Sequence, residues 1–212
     1  MPALSTIVLF FAAALALLLV PGPAVLYIVT RSIDQGRRAG FASALGVGVA
    51  NFCHTAAATL GLSALLMSSA TLFALVKYAG AAYLIYLGVR TLLTRKELRS
   101  ESAAEPKKLS NVFFKGIVVN LLNPKTALFF LAFLPQFVDP ARGSPTGQIL
   151  FFGCMFAVMG VCSDSTYALL AGTFSAWLKR STLFLKAQRY VAGSVYIVLG
   201  LTTALAVSEK KG

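Results

Sequence analysis

Long apolar runs separated by short polar links dominate this chain. Six of them, near 4–30, 40–66, 71–92, 112–137, 147–175 and 187–207, are long enough for the roughly 20 residues that cross a hydrocarbon core. The pattern predicts an all-α membrane protein of six transmembrane helices. Two of the runs are interrupted by proline. The first break reads Val20-Pro21-Gly22-Pro23, and the second reads Asn120-Leu121-Leu122-Asn123-Pro124-Lys125. No basic residue precedes Arg31, and the first apolar stretch is longer than the core of a signal peptide, so it reads as a mature helix rather than a cleaved leader.

Residues 94–111 form the one long polar link. It divides the chain into a first three-helix unit, 1–93, and a second, 112–212. The units share features in the same order. Pro23 and Pro124 break the first span of each. Gly36, Gly40 and Gly46 open the second span of one unit, and Gly143, Gly147 and Gly153 open that of the other with the same spacing. Tyr78, Gly80, Tyr83 and Gly88 in the third span are echoed by Tyr190, Gly193, Tyr196 and Gly200 in the sixth. Three spans is an odd number, so the second unit enters the membrane from the opposite side. This is a 3+3 inverted repeat, and paired broken helices at matching places in such a repeat point to a solute site. The competing reading is that glycine and proline are common in membrane helices.

Composition fits a membrane protein: 58% of the 212 residues are hydrophobic and only seven are acidic. A net charge of +12 raises the question of nucleic acid, which the distribution of charge answers. The basic residues alternate between links, as the positive-inside rule requires. Arg31, Arg37 and Arg38, the group from Arg90 to Lys115, and Lys179, Arg180, Lys186 and Arg189 place fourteen of nineteen on one side. The central link is therefore expected in the cytoplasm and both termini outside it, with no nucleic-acid partner. Cys53, Cys154 and Cys162 fall inside spans without metal or disulfide spacing and read as buried, apolar-like cysteines. No metal and no cofactor is expected. Gly40, Ala44, Gly46, Gly48 and Ala50 of the second span read as a close-packing face.

The breaks carry the candidate chemistry. A proline removes a backbone donor, and the freed carbonyls need other partners or a wet cavity. A helix restarting at Pro23 offers free amides and the positive end of its dipole, which suit a carboxylate. The alternative is a simple kink. Asn120 and Asn123 add donors and acceptors to the second break. Lys125 lies roughly 20 Å into its span by helix rise, a costly place for a charge, unless it snorkels. Asp164, the one acid inside a span, lies at similar depth and is its expected partner. Burial disfavours the charged carboxylate and a nearby ammonium favours it, so Asp164 can carry a proton or hold a solute ammonium, or simply lock two helices. Tyr167 follows one turn along the same face. His54, the single histidine, suits proton coupling by residue type, although a lone histidine is more often a structural hydrogen-bonder.

These residues also resemble a known family. Pro21-Gly22-Pro23, Gly36-Arg37-Arg38-Ala39-Gly40, Gly46 with His54, the stretch from Tyr78 to Gly88, Asn120 to Lys125, and Leu134-Pro135-Gln136-Phe137 are together similar to the LysE/RhtB amino-acid exporters, along nearly the whole chain. The resemblance implies a multi-pass protein of the bacterial inner membrane that exports amino acids or related solutes (homoserine, threonine, leucine or homoserine lactone), driven by protons. It also implies that positions 21–23 and 123–125 lie on the substrate path. The family often has a polar residue where this chain has Ala24. Some members carry the span-five acid where this chain has Gly160, one turn before Asp164.

The expected partners are therefore a small-molecule substrate, protons and membrane lipids; monomer and homodimer stay open. Two other classes fit the residues less well. A membrane-embedded enzyme lacks support: there is no zinc-protease motif, no nucleophile elbow and few acid or base groups. A lipid-interacting or scaffolding protein would use the flanking basic residues, but leaves the paired breaks and the buried Lys/Asp unexplained.

Overall fold

The structure is a computed structural model that describes residues 2–68, 70–93 and 108–173, with single helical positions at 190, 194, 197, 198, 201 and 204. The link 94–107 and most of the predicted sixth span lie outside the described residues, so the six-span count is carried by the sequence alone.

Every described element is helical. Helix α1 (Leu4–Leu19) is apolar on all sides; Phe10, Ala14, Leu17 and Leu18 face the protein, while Leu4, Val8, Leu9 and Phe11 face outward, as a helix in lipid allows. It stops at Val20 because Pro21 and Pro23 cannot donate. Helix α2 (Pro23–Gln35) starts with Pro23 in its first turn, where the missing N–H costs nothing. The two helices meet at 51°. Gly36, at φ 82°, turns the chain into α3 (Arg37–Ser68), which is followed by α4 (Ala70–Leu93).

A second bent helix pair follows after the central link. Helix α5 (Leu109–Leu121) ends before Asn123, and α6 (Pro124–Leu128) restarts at Pro124. It continues through a π-helical turn, Phe129–Phe133, and a 3₁₀ turn, Leu134–Phe137, at 48° to α5. Gly143, at φ 121°, then precedes α7 (Pro145–Thr173). Both glycines pair that φ with an extended ψ, a region that side chains other than hydrogen avoid. Thus the two matched prolines break helices by nearly equal angles, and the first glycine of each matched triad makes the corresponding turn.

By length and composition, Arg37–Gly61 and Pro145–Thr173 can each cross a membrane alone, and each bent pair can do so as one span. Helix α3 is the central element and packs most extensively against α7 and α5. A Cβ at Gly46 would collide with the Phe113 carbonyl oxygen, and one at Gly116 would come within 2.8 Å of the Ser43 carbonyl oxygen, so α3 and α5 touch backbone to backbone. The small residues of α3 therefore allow close packing as the sequence predicts, on two sides: Gly46 toward α5, Gly40 toward α2 and α7, and Gly48 toward α7.

Of three core clusters among the described residues, the smallest joins Val25, Val29 and Ala171, and two larger ones flank the bent pairs. One is aromatic: Phe10 meets Phe137 edge-on at 5.1 Å, and Phe129 stacks on Phe156 at 4.2 Å. The other is a seam of Ala24, Ile28, Ala44, Val47 and Ala168 between α2, α3 and α7. The ends of the bundle also sort by charge. Arg37 donates to Thr173 Oγ1 at 2.9 Å, and Tyr27 donates to the Val112 carbonyl at 2.9 Å. The α2–α3 turn, the start of α5 and the end of α7 thus share one end, which carries Arg37, Arg38 and Lys108.

The cysteines correct the sequence reading. Cys53 and Cys162 are exposed and Cys154 is half-buried. In a helix that is apolar on every side, residue type does not distinguish the protein-facing side from the outer one.

Candidate functional site

Gly22 of the first break and the polar residues of the second converge on one small cavity between the aromatic core and the alanine-rich seam. Gly22, Asn120, Asn123, Lys125 and Asp164, all singled out from sequence, line it, together with Asn51 and Thr126. Its volume is about 30 Å³, room for about two waters and less than an amino acid needs.

Lys125 ties the two breaks together. Its side chain is 6% exposed, and Nζ donates to the carbonyl of Leu17 at 2.7 Å and to that of Val20 at 2.5 Å. These are carbonyls at the C-terminal end of α1, where the helix dipole favours a cation. Tyr167 of α7 adds a third bond there, donating to the Leu19 carbonyl at 2.7 Å. The carbonyls released by Pro21-Gly22-Pro23 are thus capped by side chains from the other half of the chain. Lys125 does not snorkel. Asp164, 4% exposed, interacts with it electrostatically.

The two restarted helices are capped differently. Asn123 caps α6 itself, its Oδ1 accepting from the Lys125 backbone N–H at 3.1 Å. Gly22 precedes α2 with no side-chain cap. Gly22, Ala24 and Val25 line the cavity, which brings the first turn of α2, with its positive dipole end, to the space that Lys125 and Asp164 border.

Asn120 is the brace of the site, a role the sequence did not reveal. Its Nδ2 donates to the Val47 carbonyl at 3.0 Å and to Asn51 Oδ1 at 2.7 Å. Its Oδ1 accepts from Asn123 Nδ2 at 3.2 Å and from Thr126 Oγ1 at 2.9 Å. Both donors and both lone pairs of the amide are used within the protein. Asn120 is therefore saturated, whereas Asn123 keeps a donor and a lone pair. His54 is not part of the cavity lining. Its Nε2 lies 3.1 Å from the Asn120 carbonyl, and its ring stacks on Phe130 at 5.6 Å.

Sequence reasoning missed Asn51 and Thr126. The available signal for Asn51 was a lone amide one turn before His54 in a span otherwise built of small residues. Among the described residues, no group of three or more His, Cys, Asp or Glu side chains is arranged to hold a metal ion.

Two broken helices joined through a buried lysine beside a buried acid in an apolar bundle are the arrangement expected of a membrane transporter. The chain belongs to the LysE-type translocator family, whose model matches residues 15–206. It is 32% identical over 186 residues to the homoserine/homoserine lactone efflux protein of Salmonella typhimurium, covering 88% of this chain and 89% of that protein. It is 28% identical over 192 residues to the leucine efflux protein of Klebsiella pneumoniae, with 89% of each covered. An uncharacterised membrane protein of Bacillus subtilis is 28% identical over 201 residues, covering 91% and 95%. No solved structure matches the chain.

Proposed function

We propose that this protein is a proton-coupled secondary exporter of amino acids or related small metabolites of the homoserine, threonine, leucine and homoserine lactone class. It sits in the bacterial inner membrane as six spans in a 3+3 inverted repeat, units 1–93 and 112–212, with the link 94–111 in the cytoplasm. The basic end of the bundle faces the cytoplasm and anionic lipid. The observation that carries the reading is the Lys125 bridge: one broken helix caps the other inside a buried cavity that also holds Asp164. The efflux proteins among its relatives support export.

The path runs between the breaks, past Pro21, Gly22, Pro23, Asn120, Asn123, Pro124, Lys125 and Tyr167. The first turn of α2 takes the solute carboxylate. Asp164 takes the ammonium or the coupling proton, and His54 is the second candidate for that proton. The cavity enlarges as the two units rock for alternating access. The test is counterflow of a labelled amino-acid panel in proteoliposomes, with and without a pH gradient. Uptake of at least one amino acid, accelerated by the gradient, is expected. Absence of counterflow for the whole panel would overturn the reading.

A further inference from the structure

We infer that Asn51 selects solutes whose side chain carries an oxygen able to accept a hydrogen bond, a hydroxyl or a carbonyl, over apolar ones of the same size. This rests on the exporter reading above and names the solute class of that same site.

Asn51 is 2% exposed and borders the cavity. Its orientation is fixed by its neighbour. Asn120 Nδ2 already donates to the Val47 carbonyl at 3.0 Å, so the 2.7 Å contact to Asn51 needs an acceptor, and the Asn51 oxygen must face Asn120. That leaves the Nδ2 of Asn51, with two hydrogens that no described residue accepts, on the other side. That nitrogen is not among the fully enclosed side-chain atoms that lack a partner, so it borders open space that an acceptor can enter.

Gly160 makes room for that nitrogen. A Cβ at 160 would lie 2.8 Å from Asn51 Nδ2, closer than atoms in van der Waals contact. Gly160 and Asp164 are one turn apart on the same face of α7. The cavity therefore presents three chemistries: the amide end of α2 for a carboxylate, Asp164 for an ammonium, and Asn51 Nδ2 for a further oxygen. A zwitterion satisfies the first two. Only a side-chain oxygen satisfies the third, and a site built to pair a polar group discriminates against a solute lacking it.

The test compares L-homoserine with L-2-aminobutyrate, which differ by one hydroxyl, in counterflow with proteoliposomes of the full chain. The wild type should favour homoserine by about tenfold, the value of one hydrogen bond. Asn51→Asp keeps the oxygen that Asn120 needs but removes the donors; Gly160→Ala keeps Asn51 but fills the space beside it. Each should bring the ratio close to one. An equal wild-type rate for both solutes, or an unchanged ratio in either active variant, overturns the inference while leaving the exporter reading intact. Absence of counterflow for every amino acid overturns both.

Discussion

Replacing Lys125 by methionine isolates the bridge between the two breaks, because methionine keeps the length and apolar stem of lysine. Two losses follow. The Leu17 carbonyl retains the Val20 N–H at 3.1 Å, but the Val20 carbonyl loses its cationic donor in a site with little water. An unpaired buried acceptor costs about 1–3 kcal/mol. Asp164, 4% exposed, loses the nearby cation that offsets its charge. Removing one partner of a directly bonded buried pair costs about 3–5 kcal/mol, which is an upper bound here because the two interact without a direct ion pair. Asp164 relieves part of this by taking up a proton, so the two costs do not add in full. The expected destabilisation of Lys125→Met is at most about 3–5 kcal/mol. Adding Asp164→Asn in that background should recover roughly 2 kcal/mol, a coupling of the size seen between contacting residues. Tyr167→Phe removes a single neutral bond to the same helix end and should cost only about 1 kcal/mol. Helicity followed through a denaturing-detergent titration of the purified protein measures all three variants against wild type. A Lys125→Met protein within about 0.5 kcal/mol of wild type, or a double variant no more stable than that single one, would refute the coupling drawn here.

Asp164→Asn in an otherwise wild-type chain should abolish pH-driven efflux from proteoliposomes while helicity is retained; unchanged efflux would remove Asp164 from the coupling role. Gly36→Ala and Gly143→Ala should each cost about 1–3 kcal/mol in the same detergent titration, since both sit where a Cβ is strained. Gly46→Ala should lower stability by about 1–3 kcal/mol through collision with α5, whereas Gly61→Ala, with open space around it, should be neutral or slightly stabilising.

The parts of the fold legible in sequence are those in which a residue's own covalent chemistry decides the outcome. Pro23 and Pro124 cannot donate a hydrogen bond, so both helices had to break there. Gly36 and Gly143 take a backbone conformation suited to glycine, and each makes a turn into the helix that follows it. Lys125 and Asp164 stood out because charge in an apolar run is costly wherever it lies. What stayed hidden depends on helix rotation. A soluble helix reveals its buried face through polar residues on the other. Helices α3 and α7 carry no such contrast, so Cys53 and Cys162 were assigned inward and face outward, while Asn51 faces inward and was overlooked. Partners were hidden for a related reason. Lys125 bonds mainly to backbone carbonyls, and every residue has one, so no spacing rule could name Leu17 and Val20.

The two breaks are alike in geometry and unlike in electrostatics, and the difference has a mechanical consequence. The second break is self-contained: Asn123 caps α6 and braces on Asn120. The first depends on the other half of the chain, through Lys125 and Tyr167, for its released carbonyls. Any motion that carries α1 away from α6 must therefore separate Lys125 from Leu17 and Val20, and those carbonyls then need another cation or water. The same motion enlarges the space beside Asp164 and the uncapped start of α2. A solute ammonium is a cation of the same kind as the lysine it would meet there. Under the proposed alternating-access mechanism, opening the site and supplying it with a replacement charge are linked by the bonds of one side chain, and breaking the Lys125 bridge contributes to the barrier between the two states.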